Sequence, residues 1–185
     1  MVANEIFDKD TVLWYVMRAY KSEKRIEEAL EADGTYEYFI PKLYAIRIIG
    51  GKKRKVLVPA IPSLLFVRTS RTAMRPFKEK HAAMQYAMWE KSTGSEFIIV
   101  PDKQMEDFIR VASDPEADTT YHSPDSLNLR KDSKVRIHGG RFDGMEGHLL
   151  RIKGKRGKRL VIQIEGIANI ATAEVEADMV EEIEV

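Results

Sequence analysis

Apolar residues recur along this chain with two different periods, and the switches between them mark out its elements. Thr11-Val-Leu-Trp-Tyr-Val-Met17 is dense in β-branched and aromatic residues and predicts a strand. From Ser22 the spacing changes. Ile26, Ala29 and Leu30 stand at i, i+3 and i+4, the buried stripe of a helix that Ser22 caps and Gly34 stops after Asp33. Tyr36 to Ile49 reads as extended chain broken at Pro41, and Gly50-Gly51 turns it back into Val56-Leu-Val58 as a hairpin. Leu64-Leu-Phe-Val-Arg68 is almost continuously apolar, as in a central strand covered on both faces. Thr72 to Lys80 predicts a helix in spite of Pro76, and Phe97-Ile-Ile-Val100 a further strand. Pro101-Asp102 then opens a helix whose Met105, Phe108, Ile109 and Ala112 share one face. Strand, helix, hairpin, strand, helix, strand, helix together make an α+β sandwich, with helices packed on an antiparallel sheet.

The pattern breaks after Ala112. Residues 113–128 hold two prolines, four acids and five Ser/Thr, the composition of an extended linker. The chain is thereby divided into a domain at 1–112, a linker at 113–129 and a smaller domain at 130–185. In the smaller domain Val135/Ile137 and Leu149/Leu150/Ile152 flank Gly140, Gly144 and Gly147. Glycines at such intervals serve turns that need positive φ, or strands that approach one another closely. A phosphate-binding loop would need a helix after its glycines and a different spacing. A second strand follows instead, which favours a tightly turned small β-barrel. Ala168 to Glu184 is rich in Ala and Glu and suits a helix as well as a strand.

Composition narrows the function classes. With 44% hydrophobic and 32% charged residues over 185 positions, the chain is an ordinary globular protein. It has no cysteine, which excludes disulfides and thiolate metal sites. No apolar run approaches the length of a membrane span, and acids occupy the N-terminal stretch where a signal peptide is basic, so a cytoplasmic protein is expected. The net charge of +1 conceals an asymmetry. Residues 130–159 carry eleven Lys/Arg against three acids, whereas residues 160–185 carry seven acids and no Lys or Arg. Lys52-Lys-Arg-Lys55 is a second basic cluster. Local positive patches on a near-neutral protein suit contact with a polyanion, although solvated loop tips would look the same. His81, His122, His138 and His148 form no metal-ligand spacing, and no nucleophile has a flanking base. Neither an enzyme nor a cofactor is expected.

Several of these segments carry a family resemblance. The glycine-spaced stretch Lys134 to Lys153 resembles a KOW motif, the mark of a small SH3-like barrel. Upstream, Trp14-Tyr-Val resembles the opening strand of the NGN domain of NusG-type transcription factors, and Phe39-Ile-Pro41 resembles its F-x-P segment. Gly50-Gly-Lys-Lys-Arg54 is similar to its basic hairpin tip, Pro59 to Val67 to its F-P-G-Y-V-x-V strand, and Ile98 to Met105 to its last strand and helix. The ordered set spans nearly the whole chain. It is most similar to specialised paralogues of long operons, such as the UpxY-type antiterminators of capsular polysaccharide loci. Two departures stand out: Ile61-Pro-Ser-Leu64 replaces F-P-G-Y, and Glu165 stands where the general factor has a Phe that meets ribosomal protein S-ten or Rho.

The resemblance implies a transcription elongation or antitermination factor. Its N-terminal domain would seat on the clamp coiled coil of the largest RNA polymerase subunit and suppress pausing or termination. By position, Arg18, Tyr20, Ile61 and Leu64 would form that contact, though Ile61 and Leu64 read equally as core. The prolines bracketing Ile61 favour an exposed rigid segment. Non-template DNA or nascent RNA would meet Lys52, Lys53, Arg54, Arg68, Arg71 and Arg75, and, on the barrel, Arg151, Lys153, Lys155, Arg156 and Lys158. A monomer is implied. The competing reading is a KOW-type RNA-binding or ribosome-associated protein whose N-terminal domain does not bind polymerase.

Overall fold

The computed structural model describes residues 7–92, 94–115, 118–123, 126–127, 134–151, 154, 157–164 and 167–183. The fold is mixed α/β, with three α-helices and several antiparallel sheets among the described residues. Two compact units divide it, one made of Met1–Pro41 with Ile61–Met105 and the other of Lys42–Ala60 with Glu106–Val185.

In the first unit β1 (Leu13–Ala19) is the central strand. On one side it pairs with β5 (Leu64–Thr69), in a register that sets Val16 opposite Phe66 and Arg18 opposite Leu64. On the other side it pairs with β6 (Met84–Tyr86) and β9 (Ile99–Val100), while β2 (Glu37–Phe39) extends the sheet beyond β5. Tyr15, Met17 and Ala19 of β1 and Leu65 and Val67 of β5 share a sheet face. Against that face pack Ile26 and Leu30 of α1 (Glu23–Asp33) and Met74 and Phe77 of α2 (Arg71–Lys80). Trp14, Val16, Leu64 and Phe66 on the other face are buried as well, so the continuous apolar run does mark a strand covered on both sides.

Helix ends follow local chemistry, with one exception. Gly34 closes α1 at φ 69°, its N–H donating to the Leu30 carbonyl. Ser22 occupies the N-cap of α1 without making a side-chain capping bond. It is Ser70, before α2, that caps with its hydroxyl, accepting from the Ala73 N–H at 3.1 Å. Pro76 lies inside α2 and the helix continues through it. The expected strand Phe97–Val100 is split. Its first residue ends β8 (Gly94–Phe97), which pairs with β7 (Met88–Lys91), whereas Ile99–Val100 form β9 on β1. Neither β6 nor β7 shows a usable period in sequence.

In the second unit β3 (Lys42–Ile49) and β4 (Lys52–Pro59) form a ribbon in unbroken register from Lys42↔Pro59 to Ile49↔Lys52. Gly50 and Gly51 close it at φ 59° and 74°, the pair of positive angles that a two-residue hairpin turn requires. Residues of α3 (Asp102–Ala112) from Glu106 onward belong here, with Phe108, Val111 and Ala112 buried and Ile109 only partly so. The C-terminal sheet has six antiparallel strands in the order β10-β14-β13-β12-β11-β15. These are β10 (Thr120–His122), β11 (Lys134–Ile137), β12 (Glu146–Leu150), β13 (Lys158–Ile164), β14 (Ala168–Val175) and β15 (Val180–Glu182). Ala168 to Val175 is therefore a strand. Its backbone pairs with β13 on one side and β10 on the other, which overrides the helical propensity of its alanines. Thr120–His122, in the stretch read as a linker, supplies the edge strand β10.

Candidate functional site

The residues nominated for a protein contact come together where the β1–α1 turn meets the segment before β5. Ala19 N–H donates to the Ser63 carbonyl at 2.8 Å, and Glu23 Oε1 accepts from the Ser63 N–H at 2.9 Å and from its hydroxyl at 3.2 Å. Ser63 holds φ at 61° and Lys21 at 51°, so both turns are unusually tight for non-glycine residues. Within this clamp Tyr20 is 59% exposed, and Arg18 and Ile61 are half-buried. Leu64 departs from the exposed reading, being 1% exposed. It is the first residue of β5, paired opposite Arg18, and its side chain belongs to the core. What remains on the surface is an aromatic ring, an aliphatic residue between two prolines, and a partly covered cation.

The cations nominated for nucleic acid fall into groups of different character. Lys52, Lys53 and Arg54 lie on the free ribbon, all exposed, and strand alternation puts Lys53 on one face and Lys52 and Arg54 on the other. Arg47 stands directly opposite Arg54, and Lys55 Nζ lies 4.3 Å from the Tyr44 ring centroid. Arg68 is already engaged, with Glu37 at 3.5 Å and Asp102 at 3.4 Å. Arg71 donates to the Phe7 carbonyl at 3.1 Å, and Arg75 pairs with Glu79 at 3.1 Å one helical turn on. Arg151 and Lys158 are exposed, whereas Lys153, Lys155 and Arg156, like Glu165, lie outside the described residues.

The three glycines do what their spacing suggests. Gly140 and Gly144 take φ of 65° and 74° around the turn between β11 and β12, and Gly144 N–H donates to the Ile137 carbonyl at 2.8 Å. Gly147 has another reason. A Cβ on it would stand 2.5 Å from the Val161 carbonyl oxygen, a close approach of β12 to β13 that only glycine permits. Nearby, Glu146 accepts from Arg136 at 2.7 Å and pairs with Lys134 at 3.2 Å. Those bonds, that from Arg136 first, hold its carboxyl below the usual range.

Three features had no clear signal in the sequence. Arg159 is 3% exposed and bonds to Asp118 through its carboxylate at 2.6 Å and its carbonyl at 2.8 Å, tying residue 118 to β13. Arg110 donates to the Asp143 carbonyl at 2.8 Å, and Arg141 pairs with Asp114 at 3.6 Å. The third is an aromatic group, Tyr15, Tyr86 and Phe97, with ring centroids 4.9–6.0 Å apart, drawn from three segments distant in sequence. Burial first, then the neighbouring Tyr15, pushes the Tyr86 phenol up to about 12. Its helical neighbours Arg71, Arg75 and Lys78 do have a visible pattern, i, i+4 and i+7, which puts all three on one side of α2. Among the described residues no group of three His, Asp or Glu is placed to hold a metal ion, and no helix is long and apolar enough to cross a membrane.

Comparison with known proteins gives one family. Residues 13–109 match the family described as "Transcription termination factor nusG". A solved structure reported as "Domain interaction in Thermotoga maritima NusG" is similar at 21% identity and a TM-score of 0.46, over 96% of this chain and 100% of that one. A likeness at that level carries no argument about function. No curated protein matches the chain.

Proposed function

This chain belongs to the NusG family, and from that premise we propose that it is a transcription elongation and antitermination factor that binds RNA polymerase through its first unit and acts by binding, without chemistry. The observation that carries the reading is where the family match falls. Residues 13–109 span the tight double turn that leaves Tyr20 exposed and Ile61 half-buried beside Arg18. An aromatic and an aliphatic group on a rigid support, with a cation at the edge, suit an apolar patch on a partner protein. The clamp coiled coil of the largest polymerase subunit is the proposed partner. Preference for the elongating state by about 1.4 kcal/mol is enough to change pausing tenfold.

The family description speaks of termination, and two features of this chain favour the opposite sense. By the resemblance, Glu165 stands where the general factor carries an aromatic, and desolvating an unpaired carboxylate in an apolar groove costs several kcal/mol. Arg151 and Lys158, which are exposed, and Lys153, Lys155 and Arg156 between them in sequence, are the proposed salt-sensitive contact with nascent RNA or DNA instead. We read the C-terminal sheet as a KOW-type SH3-like barrel carrying that surface, and the protein as a monomeric, cytoplasmic, specialised paralogue. The test is capture of purified core polymerase by the full chain. Tyr20→Asp and Ile61→Asp should each abolish capture while leaving the circular dichroism spectrum and thermal midpoint near wild type. No capture by the wild-type chain sinks the polymerase reading and leaves the RNA-binding alternative, whereas capture unaffected by either change sinks the contact at Tyr20 and Ile61. In purified transcription on a long template the protein should raise readthrough, and Rho should not convert this into release. Stimulated Rho release would overturn the specialised assignment.

A further inference from the structure

Among the described residues, strand β3 has β4 as its one ladder partner, so its outer edge is unpaired. Every second residue of such a strand turns its N–H and C=O outward. No backbone group of residues 43–49 is bonded outside the ribbon among the described residues. The two edges of the ribbon are not alike. β4 carries Lys52-Lys-Arg-Lys55 in succession and ends on Pro59, residue types that keep a further strand from adding. β3 runs Leu43-Tyr-Ala-Ile-Arg-Ile-Ile49, rich in β-branched residues and with a single cation inside it. It is the edge open to a further strand.

The two faces differ as well. Cross-strand partners share a face, so Tyr44, Ile46 and Ile48 stand with Leu57, Lys55 and Lys53. Tyr44, Ile46, Ile48 and Leu57 are all exposed, an apolar column with lysines at its side. The other face sets Arg47 directly opposite Arg54, and neither makes an ion pair among the described residues. Like charges so placed repel, and a neighbouring anion would relieve them. Together these features narrow the occupant. A folded apolar surface would cover the isoleucines and leave the edge amides and arginines unmet. A polyanion would meet the arginines and leave the isoleucines and the ladder unused. A second copy would bring six more Lys/Arg from its residues 42–60 and no acid. An extended peptide with alternating apolar and acidic residues meets all three demands.

We propose that β3 accepts a strand from another protein, an extended segment in which apolar and acidic residues alternate. The main chain of that segment continues the ladder along the free edge of β3. Its apolar residues lie beside Tyr44, Ile46 and Ile48, at the roughly 4.5–5.5 Å Cβ spacing of strand neighbours. A carboxylate on the opposite face stands beside Arg47 and offsets the repulsion between Arg47 and Arg54. The contact uses none of the residues assigned to polymerase and stands or falls without polymerase binding.

The probe is a synthetic peptide of alternating valine and glutamate, eight residues long to match β3, added to the isotope-labelled full chain. Amide resonances of residues 43–49 should shift, and every second amide there should exchange about tenfold more slowly with solvent. A block peptide, all valines and then all glutamates, has the same composition without the alternation and should bind about tenfold more weakly. Methylating the peptide amides that face β3 should abolish binding, while methylating the intervening ones should leave it intact. Arg47→Glu should weaken the glutamate peptide about tenfold and favour a peptide with lysine in place of glutamate. Equal binding of the two methylated peptides, or resonance shifts without slower exchange along β3, overturns the proposal. So does an oligonucleotide that perturbs residues 43–49 when the alternating peptide does not, which assigns the ribbon to nucleic acid. Slowed exchange along β3 in a dimer of the chain alone assigns the edge to a second copy and refutes it too.

Discussion

Strand β5 carries Leu64-Leu-Phe-Val67 and strand β3 carries Tyr44-Ala-Ile-Arg-Ile-Ile49, runs of comparable apolar content with opposite fates. In β5 all four residues are 0–1% exposed, whereas in β3 Ile46 is 65% and Ile48 73% exposed. Hydrophobicity does not separate them; the number of neighbours does. β5 has strands on both edges, β1 and β2, and buried residues on both faces. Among the described residues β3 has β4 alone as a ladder partner. From residue 42 to 60 the ribbon also carries six Lys/Arg and no acid, with Arg47 facing Arg54. Like charges directly opposite one another destabilise a ladder. Lysines on β4 discourage pairing with another chain at that edge. Apolar side chains are thus left exposed beside a run of cations.

Changes at the two strands should differ most in folding stability. Leu64→Asp buries a charge with no partner and should unfold the first unit, a loss of several kcal/mol visible as collapse of the thermal transition. A folded Leu64→Asp protein with an unchanged midpoint would break the contrast by showing that β5 begins on the surface.

A smaller loss is expected in the C-terminal sheet, where packing and not exclusion from water is the constraint. Gly147→Ala places a methyl against the Val161 carbonyl and should cost about 1–3 kcal/mol, measured by urea denaturation. Gly144→Ala meets nothing within 4 Å and should cost about 1 kcal/mol, through its left-handed backbone alone. The reverse order would mean that β12 and β13 are not so close.

Burial of polar groups should appear in alkali. The phenols of Tyr86 and Tyr121 are pushed up to about 12, in both cases first by burial. A folded value above the unfolded one, about 10, means that the folded state holds the proton longer. Their contribution to stability is then complete below pH 10 and is lost as pH rises from 10 towards 12. Phenolate absorbance should therefore show Tyr86 and Tyr121 among the late-titrating tyrosines, with unfolding in the same interval. The smallest effect belongs to the ribbon. Ile48→Ser should alter stability by no more than about 0.5 kcal/mol, and a larger loss would mean that Ile48 is covered.

Residues close in sequence carried most of what was legible from the chain alone. The helical stripe of Ile26 and Leu30, the stop at Gly34, the Gly50-Gly51 turn and the positive φ of Gly140 and Gly144 each depend on short-range geometry, and each is found as the pattern implies. Chain-distant partners decided the rest. Ala168 to Val175 is a strand because β13 and β10 flank it, and Leu64 is core because β1 and β2 enclose β5. β6, β7 and β8 are too short, at three or four residues, to show a period at all. Phe97 and Tyr86 meet Arg71 and Lys78 of α2 only because the tertiary fold brings these segments together. Local spacing specifies which way a side chain points, but what it meets there is set by the layer that folds over it.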